Sequence, residues 1–452
     1  MGAENMADRL FGTDGIRGLA NEYPMTAEMA LQVGRAAGSL FQREDRPHTI
    51  LIGKDTRRSC YMIENALTAG FCSVGINVLL TGPLPTPGVS YIMRSLRCDG
   101  AVMISASHNS FEDNGIKLFG PDGYKIADET EDEIARLIKS GEVDKFRPTG
   151  GSIGTARRID DAVGRYIEFV KASFPKGMRL DGLKIVVDCS NGATYKVGPY
   201  TLRELGAEVI PLGNEPNGLN INAGCGSVHP EEMRARVIRE RAEVGIAFDG
   251  DGDRVVLSDE NGRLLDGNAI LAIIGVDQLE QGTLPKKQLV TTIMSNGGLE
   301  QALKPLGGSV VRTKVGDRYV VEAMREHGLT VGGESSGHII LLEHNSTGDG
   351  AIAALQVLAI MVRRDQSLSG LAQVYQEMPE SHLKVALNGR PKPKQKDLDA
   401  MVAEANAALN GLGHIVVRPS GTEPIVRVMV QHPELRTAER VTRELAERVG
   451  AM

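Results

Sequence analysis

Lys184-Ile185-Val186-Val187-Asp188, followed by a helical stretch and then Gly206-Ala207-Glu208-Val209-Ile210, is the segment on which the fold turns. The first apolar run has the length of a buried strand, and a polar loop and helically spaced residues follow it. The glycine before the second run is the residue with which a helix commonly ends. The same order recurs from Thr49-Ile50-Leu51-Ile52-Gly53 to Gly75-Ile76-Asn77-Val78-Leu79-Leu80. It recurs again from Leu289-Val290-Thr291-Thr292-Ile293 to Gly307-Gly308-Ser309-Val310-Val311. Copies so far apart predict three related α/β domains rather than a tandem solenoid. The chain has 452 residues, a length that suits about three or four domains.

The C-terminal portion reads differently. Leu383 to Leu387 is a candidate strand, and Gly389 to Lys396 a basic, proline-containing connector. Asp397 to Leu409 has helical spacing with Asp397 in the cap region. Ile415 to Arg418 and Ile425 to Val430 read as strands around a tight loop, and Thr437 to Val449 as a last helix. These elements make a small α+β domain. Met1 to Asp8 is a poorly patterned leader.

Composition narrows the function. Lys and Arg number 51 against 58 Asp and Glu, a net charge of −7, which argues against a general nucleic-acid binder but leaves room for a local basic pocket. The 5 cysteines form no Cys-x-x-Cys pair, so zinc and dithiol motifs lose support, and their sparse, odd number fits a reducing compartment. No signal-like leader stands at the N-terminus, and the most apolar later stretch, Ala351 to Val362, is too short to span a bilayer. The expected location is the cytoplasm. Glycine supplies 53 of the 452 residues, against a usual share near 7%, and many cluster in loops between apolar runs.

Asp249-Gly250-Asp251-Gly252-Asp253-Arg254 carries the strongest chemical signal. It follows the apolar run Val244 to Phe248. Carboxylates at alternate positions can face one side of an extended segment, and the glycines let the chain bend round a cation. All-oxygen ligation suits Mg²⁺ or Ca²⁺. An EF-hand frame would add Glu260, but Arg254 stands where that loop needs glycine and the flanks read as strands. A second loop, Ile104-Ser105-Ala106-Ser107-His108-Asn109, precedes Asp113 to Lys117 and exposes hydroxyls beside a histidine and a lysine. A third, Gly333-Glu334-Ser335-Ser336-Gly337-His338, offers groups suited to sugar hydroxyls or an amine. A fourth, Arg418-Pro419-Ser420-Gly421-Thr422-Glu423-Pro424 with Arg427, could cradle a phosphate. A fifth, Phe11-Gly12-Thr13-Asp14-Gly15-Ile16-Arg17-Gly18, could present Arg17 to an anion. Read singly, the second, third and fifth are equally well surface turns.

In chain order, from Phe11 to Arg427, these motifs resemble the α-D-phosphohexomutase family. The resemblance implies an α/β, four-domain architecture, with three related α/β domains and a smaller C-terminal α+β domain around a central cleft. The corresponding expectation is residues 1–158 for the phosphoserine loop, 159–259 for the metal loop, 260–371 for the sugar loop and 372–452 for the phosphate loop. It implies that Ser107 becomes a phosphoserine and that Ser107, Asp249, Asp251 and Asp253 hold Mg²⁺. Glu334 and Ser336 would read the sugar. Arg418, Ser420, Gly421, Thr422 and Arg427 would bind its distal phosphate. Arg17, Lys117, Arg254 and His338 would contact the phosphoserine or move protons. One departure is Ser110, where many family members have proline, a change expected to alter loop stiffness.

Within the family the likeness is to bacterial members acting on glucosamine phosphates. It implies interconversion of glucosamine 6-phosphate and glucosamine 1-phosphate through glucosamine 1,6-bisphosphate, which also serves as activator, on the route to UDP-N-acetylglucosamine and cell-wall precursors. A phosphomannomutase or phosphoglucomutase is the alternative on the same fold, and a non-catalytic phosphosugar-binding regulator the alternative of another class. The expected partner is a small phosphosugar, without nucleic acid or membrane. A homodimer is a further expectation of the resemblance.

Overall fold

The computed structural model describes residues 10–12, 14–42, 46–145, 147–409, 412–420 and 424–452. Gly421, Thr422 and the leader Met1 to Asp8 lie outside the described residues.

All three strand–helix–strand units form. Strand Thr49–Lys54, helix Ser59–Ser73 and strand Asn77–Pro83 make the first. Lys184–Asp188, Val197–Glu204 and Glu208–Leu212 make the second, and Gln288–Thr292, Gly298–Leu303 and Ser309–Thr313 the third. Within each unit the two strands pair in parallel. Gly75, Gly206 and Gly307 have φ of +88°, +106° and +76°, the left-handed turn expected between helix and strand.

Each unit is then extended in the same way. A third strand, Gly100–Ile104, Val244–Phe248 or Val331–Gly333, lies parallel to the first strand of its unit on the other side. The chain then loops and returns antiparallel as Asp113–Phe119, Val255–Asp259 or Ile339–Leu341. The Ser107, Asp249 and Glu334 loops are these three connections. Each stands at the carboxyl end of a central strand, where open α/β sheets place ligands. The first sheet has 6 strands, the second 5 and the third 4. The second takes in Leu264–Leu265, a few residues past 259.

The core is shared between domains. Helices Gly267–Gln281 and Gly350–Arg364 are apolar nearly all round and buried. Asp266 caps the first by accepting from Ala269 N at 3.0 Å, and Asp349 the second from Ile352 N at 3.0 Å. Asp349 also accepts from Tyr166 Oη at 2.8 Å, tying the second and third domains. The apolar stretch Ala351 to Val362 is the interior of the Gly350–Arg364 helix. Among the described residues no helix is long and apolar enough to cross a membrane.

The fourth domain is a 3-stranded antiparallel sheet, ordered Glu380–Ala386, Ile425–Gln431, His414–Pro419. Helices Gln395–Ala408 and Leu435–Ala451 complete it. Its first strand starts earlier than Leu383. Its first helix is preceded by Lys394 without a side-chain cap, so Asp397 sits inside the first turn, where a carboxylate still favours the helix dipole.

This domain docks on the third. Gln431 Oε1 accepts from Gly297 N at 2.8 Å, and His414 Nε2 donates to Ile293 O at 2.7 Å. Burial and the neighbouring Arg312 push the His414 pKa down to about 4. In the unfolded chain a histidine titrates near 6.5, so the unfolded state takes up the proton first as pH falls. The stabilisation is complete above about pH 6.5 and is lost towards pH 4, in all about 3 kcal/mol. Melting curves between pH 7.5 and 5 should show wild type losing more thermal stability than His414→Gln. Parallel curves would remove this group from the pH response.

Candidate active site

Ser107 lies just beyond strand Gly100–Ile104, 1% exposed, with φ of +52°. Its Oγ donates to Asp249 Oδ2 at 2.6 Å. The two loops touch directly: a Cβ on Gly250 would lie 2.5 Å from Ser107 O, so only glycine admits this approach.

Asp249, Asp251 and Asp253 are buried, and one oxygen from each lies within 4.8 Å of the others. They converge through a turn rather than along an extended pleat. Gly252 N donates to Asp249 O at 3.2 Å, and Gly252 has φ of +72°. Asp251 Oδ1 and Asp253 Oδ1 are buried without a hydrogen-bond partner. Burial, with Asp253 and Asp251 alongside, pushes the Asp249 carboxyl well above its usual range. Three buried carboxylates, two of them with an orphaned oxygen, fit a hard divalent cation. Glu260, the fourth ligand of the calcium-loop frame, points elsewhere and accepts from Ser369 N at 3.2 Å.

Cations surround the triplet. Lys117 Nζ donates to Asp251 Oδ2 at 2.9 Å and lies 3.3 Å from Asp14 and 3.7 Å from Asp253. Burial lowers its pKa, but Asp14, Asp251 and Asp253 outweigh burial and raise it. His338 Nδ1 is 3.6 Å from Asp253 Oδ2, and its Nε2 is 3.8 Å from Asp317 Oδ2. Here too the carboxylates outweigh burial and raise the pKa. Arg254 Nη1 lies 3.3 Å from His108 Nδ1. Arg17 pairs with Asp14, which also pairs with Lys125.

The third-domain loop is anchored to the second. Val255 N donates to Gly337 O at 3.0 Å, and Gly350 N donates to Gly252 O at 3.2 Å. Glu334 is half-buried, with Oε1 accepting from Gly316 N at 3.1 Å, while Ser336 is exposed. Ser107, the aspartates, Lys117, Arg254, His338, Arg17 and Glu334 therefore belong to one connected cluster. Arg418, Ser420 and Arg427 sit together on the fourth domain. Arg427 pairs directly with Arg418 on one side and with Lys384 on the other. The register thus brings three cationic side chains side by side across this sheet.

Several members of this cluster carry no role in the motifs above. Thr86 Oγ1 donates to Asp251 Oδ2 at 2.7 Å, carrying the first domain onto the metal loop. Asp14 and Asp317 share Lys125, 2.6 Å from Asp317. Arg57 and Asn222 hold the Ser107 loop from behind. Arg57 was accessible in principle, because Lys54-Asp55-Thr56-Arg57 stands at the carboxyl end of a repeat strand.

A buried serine against a carboxylate triplet, ringed by cations in a cleft shared by three like α/β domains, defines a phosphoryl-transferring isomerase of the phosphohexomutase class. Profiles of phosphoglucomutase/phosphomannomutase α/β/α domains I, II and III match residues 8–145, 164–262 and 266–378, and the C-terminal domain profile matches 371–448. The chain belongs to the phosphoglucomutase/phosphomannomutase family.

It is 54% identical over 424 residues to a phosphoglucosamine mutase of Geobacter sp. (strain M21), covering 94% of this chain and 93% of that one. It is 56% identical to a phosphoglucosamine mutase of Magnetococcus marinus, with 94% and 88% covered. The solved structure of a phosphoglucomutase/phosphomannomutase family protein from Burkholderia thailandensis superposes with a TM-score of 0.81 at 22% identity, over 97% of both chains. An Aspergillus fumigatus N-acetylphosphoglucosamine mutase, solved with GlcNAc-6P and magnesium, gives a TM-score of 0.64 at 19% identity, over 99% of this chain and 97% of that one.

Proposed function

We propose that this isomerase interconverts glucosamine 6-phosphate and glucosamine 1-phosphate, with Ser107 carrying the transferred phosphate and Asp249, Asp251 and Asp253 holding Mg²⁺. The 2.6 Å contact between Ser107 Oγ and Asp249 carries this reading, because it joins the candidate nucleophile to the metal triplet. The sugar identity rests on the phosphoglucosamine mutases to which the chain is 52–56% identical.

Phosphoryl transfer is mainly positioning and charge stabilisation. A phosphate on Ser107 brings about −1.5 to −2 beside three carboxylates. When bound, Mg²⁺ supplies Lewis-acid polarisation of the phosphoryl oxygens. Lys117, Arg254 and Arg17 offset the remaining negative charge. Lys117 and His338 exchange the proton of the attacking sugar hydroxyl. Glu334 and Ser336 would read the sugar, Glu334 with a carboxylate suited to an amine or hydroxyls and Ser336 with a hydroxyl. The bisphosphate formed in the first half-reaction turns over so that its other phosphate faces Ser107. The same bisphosphate, supplied from outside, would recharge Ser107 as activator.

Lys384, Arg418 and Arg427, with Ser420, would bind whichever phosphate is not reacting. Arg427→Ala should lower kcat/KM by about 10- to 100-fold, the loss of a charge-assisted hydrogen bond of about 1.5–3 kcal/mol. An unchanged kcat/KM would remove the fourth domain from substrate binding. A coupled assay on glucosamine, glucose and mannose 6-phosphates tests the sugar. Glucosamine 6-phosphate should lead by at least tenfold in kcat/KM, and a lead by either neutral sugar would overturn the assignment.

A further inference from the structure

Ser107 is held from both sides of its peptide by side chains of two domains. Its φ of +52° is a conformation serine disfavours. Arg57, wholly buried, donates from Nη2 to Ser107 O at 2.9 Å and to Asn109 O at 3.0 Å. Its Nη1 donates to Ser110 O and, at 3.1 Å, to Asp113 O. Nε pairs with Asp55 Oδ2 at 2.8 Å. Asp55 accepts from Ser105 Oγ at 2.7 Å, and Ser105 Oγ accepts from Ser107 N at 2.9 Å. From the second domain, Asn222 Nδ2 donates to the same two carbonyls, Ser107 O and Asn109 O, each at 2.9 Å.

Asn222 gives its amide hydrogens to the loop and leaves its own Oδ1 buried without a partner. A buried unsatisfied acceptor costs about 1–3 kcal/mol. It also sits at φ of +57°, which adds strain. A side chain selected for stability alone would not be arranged this way. Strain and unmet polar groups of this kind persist where position matters.

We propose that Arg57 and Asn222 are positioning residues that form a two-domain clamp on the Ser107 loop and set the direction of Ser107 Oγ. Arg57 draws the loop carbonyls, which would repel a phosphate, onto its own cation. It also fixes Ser110, where the ring of a proline would otherwise stiffen the turn. Asn222 completes the clamp only when the second domain, which bears the metal triplet, is seated against the first. In-line transfer depends on such alignment, and a displacement of about 1 Å can cost 10²-fold in rate. The clamp rests on the reading that Ser107 carries the phosphate.

The experiment uses full-length enzyme with Mg²⁺, comparing wild type with Asn222→Ala, Asn222→Asp and Arg57→Lys. Three quantities are read: melting temperature, kcat and KM for glucosamine 6-phosphate, and the rate at which glucose 1,6-bisphosphate phosphorylates the chain, followed by intact mass. Asn222→Ala should melt close to wild type and Asn222→Asp below it, because its buried carboxylate would face two carbonyl oxygens, and both should keep KM within about twofold. Their kcat and phosphorylation rate should fall together by on the order of 10- to 100-fold. Arg57→Lys should fall likewise, because one ammonium cannot span four carbonyls. Wild-type kcat in both Asn222 variants would overturn the clamp. So would activity losses that only track the folded fraction, with normal phosphorylation of the folded molecules. A wild-type chain that takes no phosphate would overturn the Ser107 reading itself and the clamp with it.

Discussion

Ser107→Ala is expected to reduce turnover by at least about 10³-fold, in line with losing the nucleophile of a covalent mechanism, while leaving the fold intact. The loop offers no substitute. Ser105 Oγ is already engaged, accepting from Ser107 N at 2.9 Å and donating to Asp55 at 2.7 Å. Alanine meets the same left-handed backbone as serine, so the φ of +52° adds no new strain. The change removes the hydrogen bond to Asp249 and the longer contact, 3.4 Å, with His108 Nδ1, and no packed volume beyond an oxygen. Melting curves should therefore nearly coincide. Intact mass after incubation with a hexose bisphosphate should show one phosphoryl group on wild type and none on the variant. Turnover near wild type, or phosphate retained by the variant, would rule out Ser107 as the carrier.

The architecture was legible because hydrophobic periodicity records it. The three repeat units were found from apolar runs and the glycines at 75, 206 and 307, and all three form parallel pairs. Apolar runs also set the Ser107 and Asp249 loops after strands, whereas the Glu334 loop was tied to none. Periodicity did not show that the loops occupy one equivalent connection in each domain, because that depends on strand order, which a local pattern does not carry.

The residues missed were those whose partners are distant or are main-chain atoms. Asn222 binds carbonyls 113 and 115 positions away, and Thr86 binds a carboxylate 165 away. Arg57 drew no reading from its residue type, because its partners beyond Asp55 are backbone oxygens that no composition reveals. The aspartate triplet was recognised by residue type, and the bend its glycines allow is present at Gly252, while the extended segment is not. An extended pleat would have spread the carboxylates, whereas the turn at Gly252 gathers them. The cap at Asp397 failed because Lys394 and Gln395 begin the helix without one.

Asp249→Asn should separate the metal's contribution from that of the fold. In the metal-free protein Asp249 faces two other buried carboxylates within 4.8 Å. Its closest partners are neutral, with Ser107 Oγ at 2.6 Å and Arg254 N at 3.2 Å. Removing one of three like charges relieves repulsion, and an amide keeps the shape, so the metal-free variant should melt at or above wild type. With Mg²⁺ the order should reverse. A cation that binds only the folded chain stabilises wild type by about 2.7 kcal/mol at a concentration 100 times its Kd, and the variant should gain little of this. Turnover should fall with the lost Mg²⁺ response, and chelation should abolish wild-type activity in a way that added Mg²⁺ restores. Thermal melts with and without Mg²⁺ read both halves of the prediction. An undiminished Mg²⁺ shift in the variant would place the ion elsewhere, and full wild-type activity after exhaustive chelation would remove the metal from the reaction.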